Sequence, residues 1–372
     1  MFAYLVPLYQ SYGYNVLQIS IITTTASIVT ILCKPIYAVW CSRAKQMRTV
    51  LIPVVLVSCI AAVLLYTYRR NFMLTLLSVV ILNATSGSVG GLIDAWEGRL
   101  LLESDTINYG LTRASGSLFY ALTAAVFGRV LDQIGFSAVV PSFLVLSFLL
   151  VVVIYSVHEK KAFATLRTEK KEGENKSIHV PFSLWHNTEF LYLLLAGFLL
   201  FFASNGLSIF FPLRVEELGG NNGDYGLMLS LGGISEVAFL LLYRRLAFYV
   251  SDRNLLQISF LFFVIQFAIT ALSPHIWLLK LGKILQGPSN GLYMAAIVHY
   301  IPKLVGTEDS YTANMTYFAV ISIAATLANL AMGFGVDMVG LQPSMIIAVC
   351  ISIIALVVFF LENKWEGRRP KK

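Results

Sequence analysis

The chain has 372 residues, of which 57% are hydrophobic and 13% charged, against about 25% charged in an average soluble domain, so a water-soluble globular protein is excluded. The net charge of +7 is a matter of membrane topology and anionic lipid headgroups, with no need for nucleic acid. Four scattered cysteines (Cys33, Cys41, Cys59, Cys350) and five histidines without ligand spacing argue against a disulfide framework or a metal site, and the lack of a P-loop argues against ATP-driven transport by this chain alone.

A membrane-spanning helix needs about 20 mostly apolar residues, because lipid offers no partner to exposed backbone groups. The first nine residues, "MFAYLVPLY", are about half that length. They carry neither a basic n-region nor a small-residue cleavage site, so they read as part of a first span whose start is truncated rather than as a signal peptide; a short re-entrant piece is the alternative. Full spans are expected at 16–40, 50–67, 72–97, 109–131 and 138–157, and again at 189–213, 225–247, 255–273, 276–300, 312–335 and 340–361. Eleven full spans and one partial span make an all-α polytopic membrane protein of twelve helices.

Lysine and arginine are retained on the cytoplasmic side. Placing 41–49, 98–108, 158–188, 244–254, 303–311 and the C-terminal tail inside collects 19 of the 27 basic residues there. Arg69, Arg70 and Arg214 remain outside, and Lys34, Arg113, Arg129, Lys280 and Lys283 fall within helices. Both termini are then cytoplasmic, and the cell membrane is the expected location. The polar stretch 158–188 joins six spans to six, giving an N-terminal bundle (1–157), a cytoplasmic linker (158–188), a C-terminal bundle (189–361) and a basic tail (362–372). An internal repeat supports the division. "GRVLDQIG" (128–135) and "GFGVDMVG" (333–340) share G-x-x-x-D-x-x-G at an offset of 205, and Pro7 and Pro212 keep the same offset, each expected to end the first span of its half.

Duplicated six-helix halves joined by a cytoplasmic linker are one plan of secondary transporters with a midplane site. Asp94 in "GGLIDAWEGR" precedes Tyr109, Gly110, Arg113, Gly116 and Ser117 in "NYGLTRASGS". With "LQGPSNGLYMAAIVHYI" in the tenth span and "GGISEVAFLLLYRR" in the eighth, the chain resembles the major facilitator superfamily. Within it, the likeness is to the branch of lactose permease-like, phenylpropionate-type and nucleoside–proton permeases. The resemblance implies that Arg113, with the fourth-helix acid Asp94, contacts substrate hydroxyls, a task suited to a planar guanidinium fork. Read without it, Arg113 lies only about 6 Å from the start of its span, and snorkelling to the interface is an equal alternative.

A charge at a helix centre costs at least about 2.5–3.5 kcal/mol on the insertion scale. Glu236 stands about 12 Å from the basic end of its span at Arg244, too far for a carboxylate stem, so it is the candidate proton-carrying residue. The competing reading is a structural pair, for instance with Lys283. Lys280, Lys283, Gln286 and Asn290 share one helical face of the tenth span, with Lys280 the one placed at the outer interface. Gly287 and Pro288 should bend that helix. Asn205, Asn314 and Thr316 are weaker candidates, since such residues more often bond between helices. "GSVGG" (87–91) reads as a small-residue packing patch.

Two departures from the family pattern matter. The tenth span carries Gln286 and Ser289 where lactose permease-like proteins have a histidine and a glutamate, so proton coupling would have to run through Glu236 or Asp94. The second-to-third-span loop reads "AVWCSRAKQMR", keeping Arg43 and Arg48 but placing Ser42 where the superfamily has an aspartate. The expected function is alternating-access transport of a small polar organic solute, a sugar, nucleoside or aromatic acid, by a monomer without cofactor, with protons as the candidate coupling ion. The alternative is a non-transporting sensor or scaffold that keeps the fold. A membrane-embedded enzyme is not expected, because its one contender, "EGRLLLESD", is more simply a solvated loop.

Overall fold

The computed structural model describes residues 2–44, 46–103, 109–157, 184, 186–306 and 309–366, and all regular structure among them is helical. The linker expected at 158–188 and the basic tail fall largely outside these residues. A short 3₁₀ turn, Phe2–Tyr4, leads into α1 (Leu5–Ser11), followed by α2 (Val16–Arg43), α3 (Arg48–Thr67), α4 (Phe72–Glu103), α5 (Tyr109–Ile134) and α6 (Val139–Ser156). Then come α7 (Thr188–Glu217), α8 (Asn222–Tyr249), α9 (Asp252–Leu272), α10 (Ile276–Ile284), α11 (Leu292–Val305), α12 (Ser310–Val339) and α13 (Leu341–Glu366). Between α10 and α11 lies a π-helical turn, Gly287–Gly291, so the tenth span is one interrupted helix. Nine helices among the described residues are long and apolar enough to cross a membrane. The protein is an all-α, multi-pass membrane protein.

Local sequence explains where several helices begin. Asn15 accepts the Gln18 backbone N–H at 2.8 Å while the Gln18 side chain accepts from the Asn15 N–H at 3.1 Å. Asn221 and Asp224 form the same reciprocal box at the start of α8. Each box satisfies donors that the first helical turn leaves orphaned.

Contacts divide the chain into two units, Met1–Arg113 with Ile134–Ser177, and Ala114–Gln133 with Ile178–Lys372. In the first, Met47, Val50, Leu51 and Val54 of the α3 region pack with Leu92 and Trp96 of α4 and Ile154 of α6. The 87–91 patch does part of what was expected of it. A Cβ on Gly87 would stand 2.9 Å from the Thr30 Oγ1 of α2, whereas Gly90 and Gly91 have open space. In the second unit α7 packs on α12 and α13, and α9 on α13. Phe260 and Phe359 stack at 4.7 Å between centroids, and the hydroxyls of Tyr293 and Tyr317 pair in the interior.

The sequence repeat has a conformational counterpart. Gly135 (φ 82°, ψ −179°) and Gly340 (φ 93°, ψ 170°), the last glycines of the two copies, take the same backbone conformation, one that glycine alone adopts without strain. The prolines behave differently from expectation: α1 runs past Pro7 to Ser11, and α7 past Pro212 to Glu217. The extra turn of α7 is anchored by the buried Arg214, which donates to the carbonyls of Ala271 at 3.2 Å and Ser273 at 2.9 Å and pairs with Glu217. Asp132, the acid of the first copy, accepts from the Asn222 and Gly223 backbone N–H groups at 2.9 and 2.8 Å. It thus places a carboxylate at the N-terminus of α8, where orphan donors and the helix dipole favour negative charge.

Candidate functional site

The polar residues expected to line a site in the second half converge where α8 meets the interrupted tenth span. Pro288 has no N–H, so the carbonyl four residues earlier, that of Ile284, loses its intrahelical partner. Ser235 of α8 donates its hydroxyl to that carbonyl. On the other side Ser259 of α9 donates to the Ser289 carbonyl at 2.7 Å, and the Ser289 hydroxyl donates to Gln266 Oε1 at 2.7 Å. Side chains of neighbouring helices thus meet polar groups at the kink. Glycines permit this approach: a Cβ on Gly287 would stand 2.5 Å from the Ser235 carbonyl oxygen, and one on Gly291 2.8 Å from that of Glu236.

Glu236 lies on the α8 face so brought against the kink. Its Oε2 accepts from Gln286 Nε2 at 3.0 Å. Room for the Gln286 amide comes from Gly232, one turn earlier on α8, where a Cβ would sit 2.5 Å from Gln286 Oε1. Lys283 does not form an ion pair with Glu236 among the described residues. Its ammonium lies 4.3 Å from the centroid of the Phe211 ring of α7, a cation–π contact. The result is a half-buried carboxylate, amide and ammonium along two facing helices. Such a set can accept and donate hydrogen bonds to a polar solute at several points.

The remaining candidates separate. Asn290 is half-buried on the same span. Lys280 pairs with Asp224 at 2.6 Å near the start of α8. Asn205 donates to the Phe201 carbonyl of its own helix at 2.9 Å, and Asn314 and Thr316 likewise bond back to Ser310 and Thr312. Asp94 and Arg113 lie on α4 and α5, with their side chains outside the described residues. The same holds for Ser42 and Arg43 of the degenerate loop. Among the described residues no group of three or more His, Cys, Asp or Glu side chains could hold a metal ion.

Residues 1–334 match the MFS_1 like family. The chain belongs to that family. Its fold is that of major facilitator transporters. A mutant of the nucleoside transporter NupG aligns with a TM-score of 0.81 at 15% identity, covering 97% of this chain and 95% of that one. The unmutated NupG structure gives 0.80 at 14% identity, covering 96% and 93%. A bacterial homologue of the human lysosomal transporter Spinster, in an inward-facing and unoccupied conformation, gives 0.62 at 12% identity, covering 100% and 94%. At these identities the likeness establishes the fold alone. Comparison with curated protein sequences finds no match.

Within this MFS_1-like chain, sequence reasoning missed the residues that shape the polar seam rather than those that populate it. Gly232, Ser235 and Ser259 are not among the candidates expected from sequence. The available clue was spacing: Gly232 precedes Glu236 by four residues and so shares its helical face.

Proposed function

We propose that the protein is a secondary active transporter that moves a small polar organic solute by alternating access, and that Glu236, Gln286, Lys283 and Asn290 contribute its substrate-binding face. The observation that carries this reading is the Gln286–Glu236 hydrogen bond at a π-helical kink. Interrupted helices carrying polar groups are how membrane transporters expose binding atoms at midplane depth, and π-turns recur at functional sites. A carboxylate beside an amide offers acceptors and donors to ribose or sugar hydroxyls and to a base edge. Among sugars, nucleosides and aromatic acids, the nucleoside class is therefore tested first, a choice the nucleoside transporters of like fold also support.

Asp94 and Arg113 complete the proposed substrate set on the strength of the family motif, with Asn205 as a lesser member. Glu236 is the candidate proton carrier, being the acid of the seam, with Gln286 and Ser289 at the positions where related permeases carry ionisable groups. In this reading the protein works as a monomer in the cell membrane, with two six-span halves (1–157 and 189–361), a linker at 158–188 and both termini cytoplasmic.

The test is uptake by proteoliposomes of radiolabelled uridine, a hexose and phenylpropionate, with and without an inward proton gradient. The expected result is saturable uptake of one class that Arg113→Ala abolishes while the variant still reconstitutes normally. Wild-type uptake by Arg113→Ala would remove Arg113 from the site, and ligand-induced stabilisation without flux of any class would identify a sensor instead.

A further inference from the structure

The first unit holds a cavity of about 390 Å³ lined by Tyr12, Tyr66, Arg69, Arg70, Phe136 and Ser137, with Ser11 at its edge. Its volume falls in the range of about 300–1,000 Å³ typical of small-molecule sites. These residues lie at the connections between the first and second, third and fourth, and fifth and sixth spans, which the basic-residue distribution assigns to the outer face. Positive charge is scarce there. Of Arg69, Arg70 and Arg214, the last is buried and bonded to Glu217 and two carbonyls; both of the others line this cavity.

Neither arginine forms an ion pair with an acid among the described residues. Residues 10–15, 66–72 and 134–138 contain no Asp or Glu, and no ion pair is present among the described residues of this unit. The Tyr12 hydroxyl is buried without a hydrogen-bond partner. Burial pushes its phenol up to about 12, against the opposing pull of Arg69, so it remains a donor at neutral pH. The loop that carries the arginines is held in place. The Tyr14 hydroxyl lies within hydrogen-bond distance of both the Arg69 carbonyl (3.0 Å) and Thr75 Oγ1 (2.8 Å), while Asn71 accepts from the Leu74 N–H at 3.2 Å. The Arg69 guanidinium lies 5.2 Å from the centroid of the Tyr66 ring. Backbone and side chain are thus set before any ligand arrives, while both guanidinium groups stay exposed.

We propose that this cavity is an outer-face binding site for an anionic group, a phosphate or carboxylate, held by the Arg69 and Arg70 guanidiniums with the Tyr12 hydroxyl as an additional donor. Planar guanidinium forks match either anion through paired, charge-assisted hydrogen bonds. The group can belong to a soluble organic anion or to an anionic lipid headgroup of the outer leaflet.

The test uses the full chain in phosphatidylcholine nanodiscs. Its thermal midpoint is followed against sodium phosphate and sodium benzoate, with sodium chloride at matched ionic strength as reference. A second arm uses native mass spectrometry after incubation with mixed phosphatidylglycerol and phosphatidylcholine. A shift with phosphate or benzoate assigns a soluble anion, and selective retention of phosphatidylglycerol assigns a headgroup. In whichever arm responds, the Arg69→Gln/Arg70→Gln variant should weaken the response by about tenfold or more, and Tyr12→Phe by about threefold. No response beyond chloride together with no lipid preference would overturn the proposal, as would a response that the paired arginine variant leaves unchanged. Both arginines are exposed, and Tyr12→Phe keeps the ring, so folding should survive in each variant.

Discussion

In the unit that contains α1 to α4 and α6, the hydroxyls of Thr23, Thr25, Ser27, Ser78 and Thr85 bond to carbonyls three or four residues back in their own helices. In the unit that contains α7 to α13, back-bonds of this kind also occur, but Ser235, Ser259, Ser289 and Gln286 reach across to a neighbouring helix. The ion pairs Lys280–Asp224 and Lys303–Asp252, each joining two helices, lie in this second unit as well. The bond that Ser235 makes to the tenth span has a cause in Pro288. An unbroken helix supplies every interior carbonyl with a partner, so its hydroxyls add nothing essential. A broken one leaves carbonyls that must be met from outside, and the helices that meet them are thereby tied to the break. In the first unit hydroxyls such as those of Thr25 and Ser27 bond within their own helices, whereas the polar side chains around the tenth span hold its shape and carry Glu236 and Gln286 into position.

Substitutions can break this contrast at several strengths. The largest effect is expected at Gly287, whose Cβ would stand 2.5 Å from a backbone oxygen of α8. Gly287→Ala should destabilise by about 3 kcal/mol or more, since backbone cannot rotate away. Gly90→Ala in α4, with no atom within 4 Å of its Cβ, should stay within about 0.5 kcal/mol of wild type. Thermal melts in detergent check both, and equal losses would erase the contrast. Next, Ser259→Ala should cost about 1 kcal/mol, the usual scale of a cross-helix bond in a membrane, and Thr25→Ala in α2 much less. A smaller effect is expected for Asp132→Asn at the start of α8. It removes a charge from the helix dipole and should lower stability by about 0.5 kcal/mol, shrinking as salt is added. Least of all, a double-mutant cycle on Lys280 and Asp224, both part-exposed, should return a coupling of about 0.5 kcal/mol or less.

Much of this architecture was legible in the sequence because the bilayer imposes it. Spans expected at 50–67 and 138–157 appear as Arg48–Thr67 and Val139–Ser156, and the 128–135 and 333–340 repeat ends in glycines of one conformation. Helix ends were less legible. The fourth span continues to Glu103 and the seventh past its proline to Glu217, since a polar residue can extend a helix beyond the membrane at no penalty from lipid. The kink at Gly287 and Pro288 was readable, but its π-turn and its rescue by Ser235 and Ser259 were not, because they depend on which helices lie alongside. The same limit applied to Glu236. Charge alone suggested Lys283 as its partner; the actual partner is Gln286, because Gly232 leaves space for an amide while the longer lysine stem reaches Phe211.

The central claim is that the carboxylate of Glu236, presented at the kink, acts on the transported solute. Counterflow of labelled uridine in proteoliposomes, comparing wild type with Glu236→Gln, tests it most directly. Gln286 can still bond to the substituted amide, so the melting temperature should hold while counterflow falls at least about tenfold. A variant that exchanges uridine at the wild-type rate, from a wild type that itself transports it, would contradict the account.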